Sequence, residues 1–185
     1  MAYSEEELIG GCRKGQLKHQ EALYRQFYGF AMSVCLRYAP CREDALEILN
    51  DSFMKVFDRI GSLDDDKSFR AWFRRILVNT ALDHYRANRR YRLHIELDLD
   101  QVDESAEIDY GPALAVEEIL ELLDQLTPIQ RLVFNLHKVE GYPHEEIAGM
   151  LHIAPGTSRS HLSRAIKRLA SLLLAEHNHG RHETI

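Results

Sequence analysis

Residues 142–173 have the sequence YPHEEIAGMLHIAPGTSRSHLSRAIKRLASLL, which predicts two short helices joined by a tight corner. In the first helix, Ile147, Met150 and Leu151 recur at helical spacing. Pro155 then suits the first turn of a new helix, because its missing N–H would be unpaired there in any case.

The second of these helices separates apolar from polar residues. Its apolar side consists of Leu162, Ile166, Leu169 and Leu173. Its other side carries Ser160, Arg164, Lys167, Arg168 and Ser171. This pattern predicts a helix-turn-helix whose second helix lies in a DNA major groove. The alternative is an ordinary amphipathic hairpin with a solvated basic face.

The composition is typical of a globular protein, with 45% hydrophobic and 28% charged residues in a chain of 185. No apolar run approaches the length of a transmembrane helix, and the N-terminal MAYSEEEL is acidic, unlike a signal peptide. We therefore expect a cytoplasmic protein without membrane insertion. Three cysteines without a C-x-x-C pair favour reduced, structural thiols over a zinc site or a disulfide.

The net charge of −6 is unevenly distributed. Residues 1–95 carry 16 basic and 13 acidic side chains, and residues 127–185 carry 7 and 5. Residues 96–126 carry 11 acidic side chains and no basic one. Two mildly basic ends therefore flank an acidic middle, and local charge is what a nearby phosphate experiences.

Residues 1–93 form the predicted N-terminal helical domain. Helices are expected at about 5–14, 19–39, 42–60 and 68–91. Ser4 and Glu7 form a capping box for the first helix, and Pro40 ends the second.

The fourth of these helices has a base-rich side opposite an apolar stripe that includes Trp72. This side carries Arg70, Arg74, Arg75, Asn79 and Arg86. Arg89, Arg90 and Arg92 crowd its C-terminal end, where the helix dipole alone could explain them.

Residues 94–112 lack helical periodicity and predict a flexible acidic linker. Its acidity either serves solubility or mimics nucleic acid against a basic surface. A C-terminal helix-turn-helix domain is expected at 113–176, with Thr127 and Pro128 starting one of its helices, and a His-containing tail at 177–185. The predicted fold is all-α, with two small helical domains.

No motif for a phosphate-binding loop, a metalloprotease or a serine hydrolase is present. The tail histidines lack metal-ligand spacing. We therefore expect neither an enzyme nor a cofactor or metal site.

The chain resembles bacterial RNA polymerase sigma factors of the sigma-70 family, in the extracytoplasmic-function (ECF) group. Three stretches carry the resemblance, in matching order and spacing: REDALEILNDSFMKVF at 42–57, SFRAWFRRILVNTALDHYR at 68–86, and LTPIQRLVFNLHKVEGYPHEEIAGMLHIAPGTSRSHLSRAIKRL at 126–169. That group is built from two helical domains joined by a linker.

The resemblance implies a role for each stretch. The first implies docking on the clamp helices of the largest subunit of core RNA polymerase, through Glu47, Ile48, Asn50, Asp51 and Phe53. The second, with the loop at 62–67, implies capture of the minus-10 promoter element as a single strand along Arg74, Arg75, Asn79 and Arg86. The third implies minus-35 recognition by Arg159, Ser160, Arg164, Lys167 and Arg168.

Six residues depart from the family pattern: Leu46, Phe57, His152, Ser158, His161 and Ile166. His152 stands where a glycine is usual at the corner, so a left-handed backbone there would be strained or satisfied differently. Ser158 stands where the family often has valine.

The expected function is a non-catalytic initiation factor with core RNA polymerase, promoter DNA and an anti-sigma factor as partners. The alternative is a free-standing helix-turn-helix regulator that binds duplex operators without polymerase. Such a regulator would need a ligand-sensing or phospho-acceptor domain at its N-terminus, and residues 1–93 resemble neither.

Overall fold

The computed structural model describes residues 3–64, 66–92 and 116–179, and all regular structure within these ranges is helical. The predicted all-α class is therefore confirmed. The expected linker at 94–112 lies outside the described residues. The described helices are α1 Glu5–Arg13, α2 Leu17–Tyr38, α3 Arg42–Arg59, α4 Phe69–Arg92, α5 Val116–Asp124, α6 Pro128–Phe134, α7 His144–Leu151 and α8 Pro155–His179. A 3₁₀ turn follows α3 at Ile60–Ser62, and a π-helical turn follows α6 at Asn135–Val139.

The chain divides into two compact units, Met1–Tyr91 and Arg92–Ile185. In the first unit, the capping box predicted for α1 is present. The Glu7 backbone N–H donates to Ser4 Oγ at 3.2 Å, and the Ser4 N–H donates to a Glu7 carboxylate oxygen at 2.9 Å. These two bonds satisfy amides that the first helical turn leaves unpaired.

Aromatic side chains from three helices form the centre of this unit. Phe27 of α2 lies 4.7 Å from Phe69 of α4, and Phe53 of α3 lies 4.8 Å from Phe73 of α4, measured between ring centroids. Phe53, Phe69 and Phe73 are among the largest fully buried side chains in the described residues. Each buried ring contributes a few kcal/mol, about 1.5–3, so this cluster holds α3 and α4 in place.

The second unit packs α8 against the helices that precede it. Leu122, Leu123 and Leu126 form a core cluster with Ala165 and Leu169 of α8. α6 begins at Pro128 as predicted, after Thr127.

Arg131 is a buried cation in the described part of this unit. Its side chain is 6% exposed, and its Nη1 donates to Asp124 Oδ1 at 2.5 Å. This ion pair links α5 to α6 and partners a charge that would be costly to bury alone.

The helix-turn-helix corner lies between α7 and α8. His152 ends α7 with φ 54° and ψ 48°, in the left-handed region. The Ile153 N–H donates to the Ala148 carbonyl at 3.1 Å, a bond that such a helix end makes across six residues. The corner is therefore left-handed, with histidine where the family usually has glycine.

Candidate functional surfaces

The five predicted minus-35 residues lie on α8 and are spread over about half of its circumference. Leu162, Ala165 and Leu169 are buried. Arg159 and Arg168 are exposed, whereas Ser160, Arg164 and Lys167 are half-buried. The two exposed arginines are thus the best placed to contact DNA without rearrangement.

Two contacts join the start of α8 to the start of α7. Arg159 Nη1 lies 3.4 Å from Glu145 Oε1, and both side chains are more than half exposed. His144 Nδ1 lies 2.9 Å from Ser158 Oγ, and Ser158 is completely buried. Ser158, one of the residues that depart from the family pattern, is therefore a packing residue bonded to a histidine. Its burial places it outside the DNA-facing surface.

The environment of His144 lowers its pKa. Burial is the main cause, followed by the neighbouring His137 and by Arg159, while Glu145 acts in the opposite direction. The neutral ring is therefore favoured in the folded unit.

α4 carries the residues predicted for minus-10 capture. Arg75 and Asn79 are exposed one helical turn apart, and Arg74 and Arg86 are half-buried. Arg86 Nη1 also lies 3.0 Å from Asp83 Oδ1. The side chains of the helix-end arginines Arg89, Arg90 and Arg92 lie outside the described residues. The structure therefore presents two exposed members of the predicted minus-10 set, Arg75 and Asn79.

Arg70 is a further cation at the start of α4. Its guanidinium carbon lies 4.4 Å from the centroid of the Phe30 ring, which is a cation–π geometry. The side chain is exposed and lies one turn before Arg74. Trp72, placed by its sequence position on the apolar stripe, is half-buried and lies 5.9 Å from Phe69 between ring centroids.

α3 separates the predicted docking residues into two groups. Glu47, Asn50 and Asp51 are exposed. Ile48 and Phe53 are each only 2% exposed. The expectation that Ile48 and Phe53 contact the polymerase therefore needs correction, because their side chains lie in the core of this unit.

Two residues that the sequence did not single out belong beside the exposed group. Met54, at 62% exposure, lies one turn after Asn50 and Asp51. The Tyr24 hydroxyl on α2 donates to Asn50 Oδ1 at 3.2 Å. With Met54 in place of Ile48 and Phe53, the predicted α3 docking surface becomes Glu47, Asn50, Asp51 and Met54. Its helical spacing of i, i+3, i+4 and i+7 would have indicated Met54.

Within the described ranges, no helix is long and apolar enough to cross a membrane. Nor do three or more His, Cys, Asp or Glu side chains of the described part of the chain come together as a metal site.

Both units of the chain match known protein families. Residues 23–91 match the family described as Sigma-70 region 2, and residues 116–169 match Sigma-70, region 4. The ECF RNA polymerase sigma factor SigM of Mycobacterium tuberculosis is 30% identical over 175 residues, which cover 92% of this chain and 85% of SigM. The ECF RNA polymerase sigma-E factor of Escherichia coli is 26% identical over 173 residues, covering 88% of this chain and 90% of that factor.

Among solved structures, the sigma factor RpoE of Bartonella quintana, in complex with the anti-sigma factor NepR, has a TM-score of 0.49 at 22% identity. The alignment covers 85% of this chain and 98% of that one. The two family matches cover well over half of the chain, in the order region 2 then region 4. The chain therefore belongs to the sigma-70 family of RNA polymerase sigma factors, in its ECF group.

Proposed function

We propose that this chain is a transcription initiation factor that binds bacterial core RNA polymerase and directs it to specific promoters. The observation that carries the proposal is that region 2 and region 4 matches fall on separate units, each with cationic side chains on a helix surface. These surfaces lie on α4 and α8. The chain acts as a binding factor in the bacterial cytoplasm, and the reaction belongs to the polymerase.

The α8 surface is proposed to bind the minus-35 element as a duplex. A recognition helix contacts base edges with a few residues and phosphates with others. Arg159 is near the start of α8, and its partner Glu145 is exposed, so a phosphate can replace this ion pair at small cost. Arg168 is exposed two and a half turns further on, where it suits a phosphate contact.

The α4 surface is proposed to bind the minus-10 element as a single strand. Opening a base from the stack costs a few kcal/mol, which contacts to the strand must offset. Arg75 and Asn79 supply an exposed cation and an exposed amide on adjacent turns. The loop between α3 and α4 comes directly before α4 in the chain. The resemblance to the sigma-70 family implies that this loop contributes to the capture of minus-10 bases.

The α3 surface is proposed to dock on the clamp helices of the largest polymerase subunit. Glu47, Asn50 and Asp51 offer polar contacts, and Met54 adds an exposed apolar side chain beside them. Such a mixture suits a specific protein interface. The resemblance to the ECF group also leads us to propose an anti-sigma factor as the partner that restrains the protein.

A direct test mixes the purified chain with core RNA polymerase and follows co-elution by gel filtration. Binding to duplex promoter DNA is then measured with and without polymerase. If the proposal is correct, the chain forms a stable complex with core polymerase, and its binding to promoter DNA has a sequence preference that depends on polymerase. Operator-like duplex binding by the chain alone, with no polymerase complex, would instead support a free-standing regulator.

A further inference from the structure

Arg13, at the end of α1, reaches the loop that connects α3 to α4. Its Nη2 donates to the Leu63 carbonyl at 2.5 Å, and its Nε donates to the Ile60 carbonyl at 3.4 Å. Both carbonyls belong to the chain that leaves α3 toward the minus-10 surface. One guanidinium therefore joins two points of this loop to a helix about 50 residues earlier in the sequence.

α1 is itself held firmly enough to act as an anchor. Leu8 and Cys12 are almost completely buried. A side chain at Gly11 would place its Cβ 2.1 Å from the His19 ring, so the ring packs directly on the α1 backbone. Arg13 thus extends from a helix whose position against α2 is fixed by close packing.

Besides Arg13, the described residues of the loop are held by the buried side chains of Ile60 and Leu63 and by local hydrogen bonds, such as that from the Leu63 N–H to the Ile60 carbonyl at 3.3 Å. Of this loop the structure describes Ile60–Asp64 and Asp66–Ser68. Leu63 is buried, whereas Ser62, Asp64, Lys67 and Ser68 are exposed. Lys67 and Asp64 form an exposed ion pair, and the Lys67 N–H donates to the Asp64 carbonyl at 3.0 Å. Exposed pairs of this kind contribute little to rigidity.

From these contacts we infer that Arg13 is a positioning residue that sets base selectivity at the minus-10 element. The inference rests on the proposed function and deepens it. A binding site discriminates only if its backbone is held within about 0.5 Å of the productive geometry. The planar guanidinium fixes two carbonyls at once, which a lysine ammonium does with less geometric definition. α1 lies outside residues 23–91, so the family match does not assign this role.

The test uses the full chain assembled with core RNA polymerase and a promoter-length DNA library randomised over both recognition segments. Bound DNA is sequenced for the wild type, Arg13→Met, Arg13→Lys and the control Arg25→Met. Arg25 is an exposed arginine of α2 paired with Glu21, so its replacement removes the same charge elsewhere.

We expect Arg13→Met to reduce the enrichment of preferred minus-10 bases by about fivefold to tenfold, because hydrogen bonds from a charged group are lost. Minus-35 enrichment and co-elution with polymerase should stay at wild-type values. Arg13→Lys should fall between Arg13→Met and the wild type, and Arg25→Met should match the wild type. Hydrogen exchange at the Leu63 and Lys67 amides should accelerate most in Arg13→Met and should not change in Arg25→Met.

Wild-type minus-10 enrichment in Arg13→Met would overturn the inference. Equal losses at both promoter elements, together with a lower melting temperature, would reduce Arg13 to a residue of general stability and also overturn it. If Arg13→Met does not fold, wild-type selectivity in Arg13→Lys counts against the inference. A wild-type protein with no minus-10 preference would refute the proposed function instead.

Discussion

The imidazole rings of His137 and His144 stack, with centroids 4.4 Å apart and planes inclined by 15°. His137 Nδ1 lies 2.9 Å from the Tyr142 carbonyl oxygen, so this nitrogen carries the proton and donates it. His144 in turn contacts the buried Ser158. The stack thereby connects the π-helical turn to both helices of the helix-turn-helix.

We expect the second unit to lose stability in mild acid. The pKa of His144 in the folded chain lies below the ordinary histidine value of 6.5. As the pH falls, His144 therefore takes up a proton at a higher pH in the unfolded chain than in the folded chain. The stabilisation is complete above pH 6.5 and declines as the pH drops through that value toward the folded pKa. The other charged groups around the ring are His137, Lys138, Glu145 and Arg159.

Calorimetric melting of the full chain between pH 8 and pH 5 measures this effect. His144→Gln should flatten the pH dependence, because it removes the titrating ring. His152→Asn is the matched control, since His152 is exposed and asparagine tolerates its left-handed backbone. Equal acid sensitivity in His144→Gln and the wild type would contradict the assignment.

Replacing His152 with glycine should stabilise the protein. His152 adopts a φ of 54°, a left-handed conformation that costs most residues with a Cβ more than it costs glycine. We expect His152→Gly to raise the free energy of unfolding by about 0.5–1 kcal/mol, after allowing for the greater entropy of glycine in the unfolded chain.

His152→Val should lower the unfolding free energy by about 1 kcal/mol or more, because β-branched residues fit this region least. Denaturant titration with a constant m-value gives both numbers. A stabilised valine variant, or a destabilised glycine variant, would show that the corner does not have this conformation.

The fold was largely predictable because its signals are local. The Ser4–Glu7 box, Pro40 and the Thr127–Pro128 pair mark helix ends within a few residues, and apolar periodicity identifies the buried faces. The π-helical turn at Asn135–Val139 was not predicted, since it carries no sequence signal of this kind.

The sites were harder to predict than the fold. Ile48 and Phe53 share a helical face with Ala45, Leu49 and Val56, so periodicity alone indicates burial. The family resemblance instead predicted that both residues contact the polymerase. A resemblance identifies matching sequence positions, but it does not show which way a side chain points.

Contacts between residues that are far apart in the chain could not be predicted from local sequence patterns. The bonds from Arg13 to the α3–α4 loop and from His144 to Ser158 depend on how helices pack. A serine on the buried side of an amphipathic helix indicates only weakly that a polar contact lies there. Its partner is evident only from the structure.

Arg168 should contribute a phosphate contact in the duplex complex. Arg168→Gln is expected to reduce the magnitude of the slope of log K against log salt by about one, with similar losses for all duplex sequences. Fluorescence anisotropy of holoenzyme on minus-35 duplex from 50 to 300 mM salt gives this slope. Lys138→Gln, an exposed cation outside α8, serves as the control. An unchanged slope in Arg168→Gln would remove this residue from the DNA surface.

Charge reversal at Asp51 should weaken polymerase binding. Asp51 is exposed at the centre of the α3 docking surface, so Asp51→Lys is expected to lower the affinity for core polymerase by about tenfold. Helical content and melting temperature should stay at wild-type values, since Asp51 makes no core contact.

Glu121→Lys applies the same charge change to an exposed residue of the second unit and should leave polymerase affinity unaltered. Titration of labelled core polymerase with the wild type, Asp51→Lys and Glu121→Lys gives the affinity of each protein. Equal affinity of Asp51→Lys and the wild type would place the docking surface elsewhere.

The central claim is that this protein gives core polymerase its start sites. The most direct measurement is run-off transcription with purified core RNA polymerase over a genomic promoter library, with and without the purified chain. The account predicts discrete transcripts that depend on the chain and whose start sites share two upstream sequence elements. Core polymerase that produces the same transcripts in both reactions would contradict it.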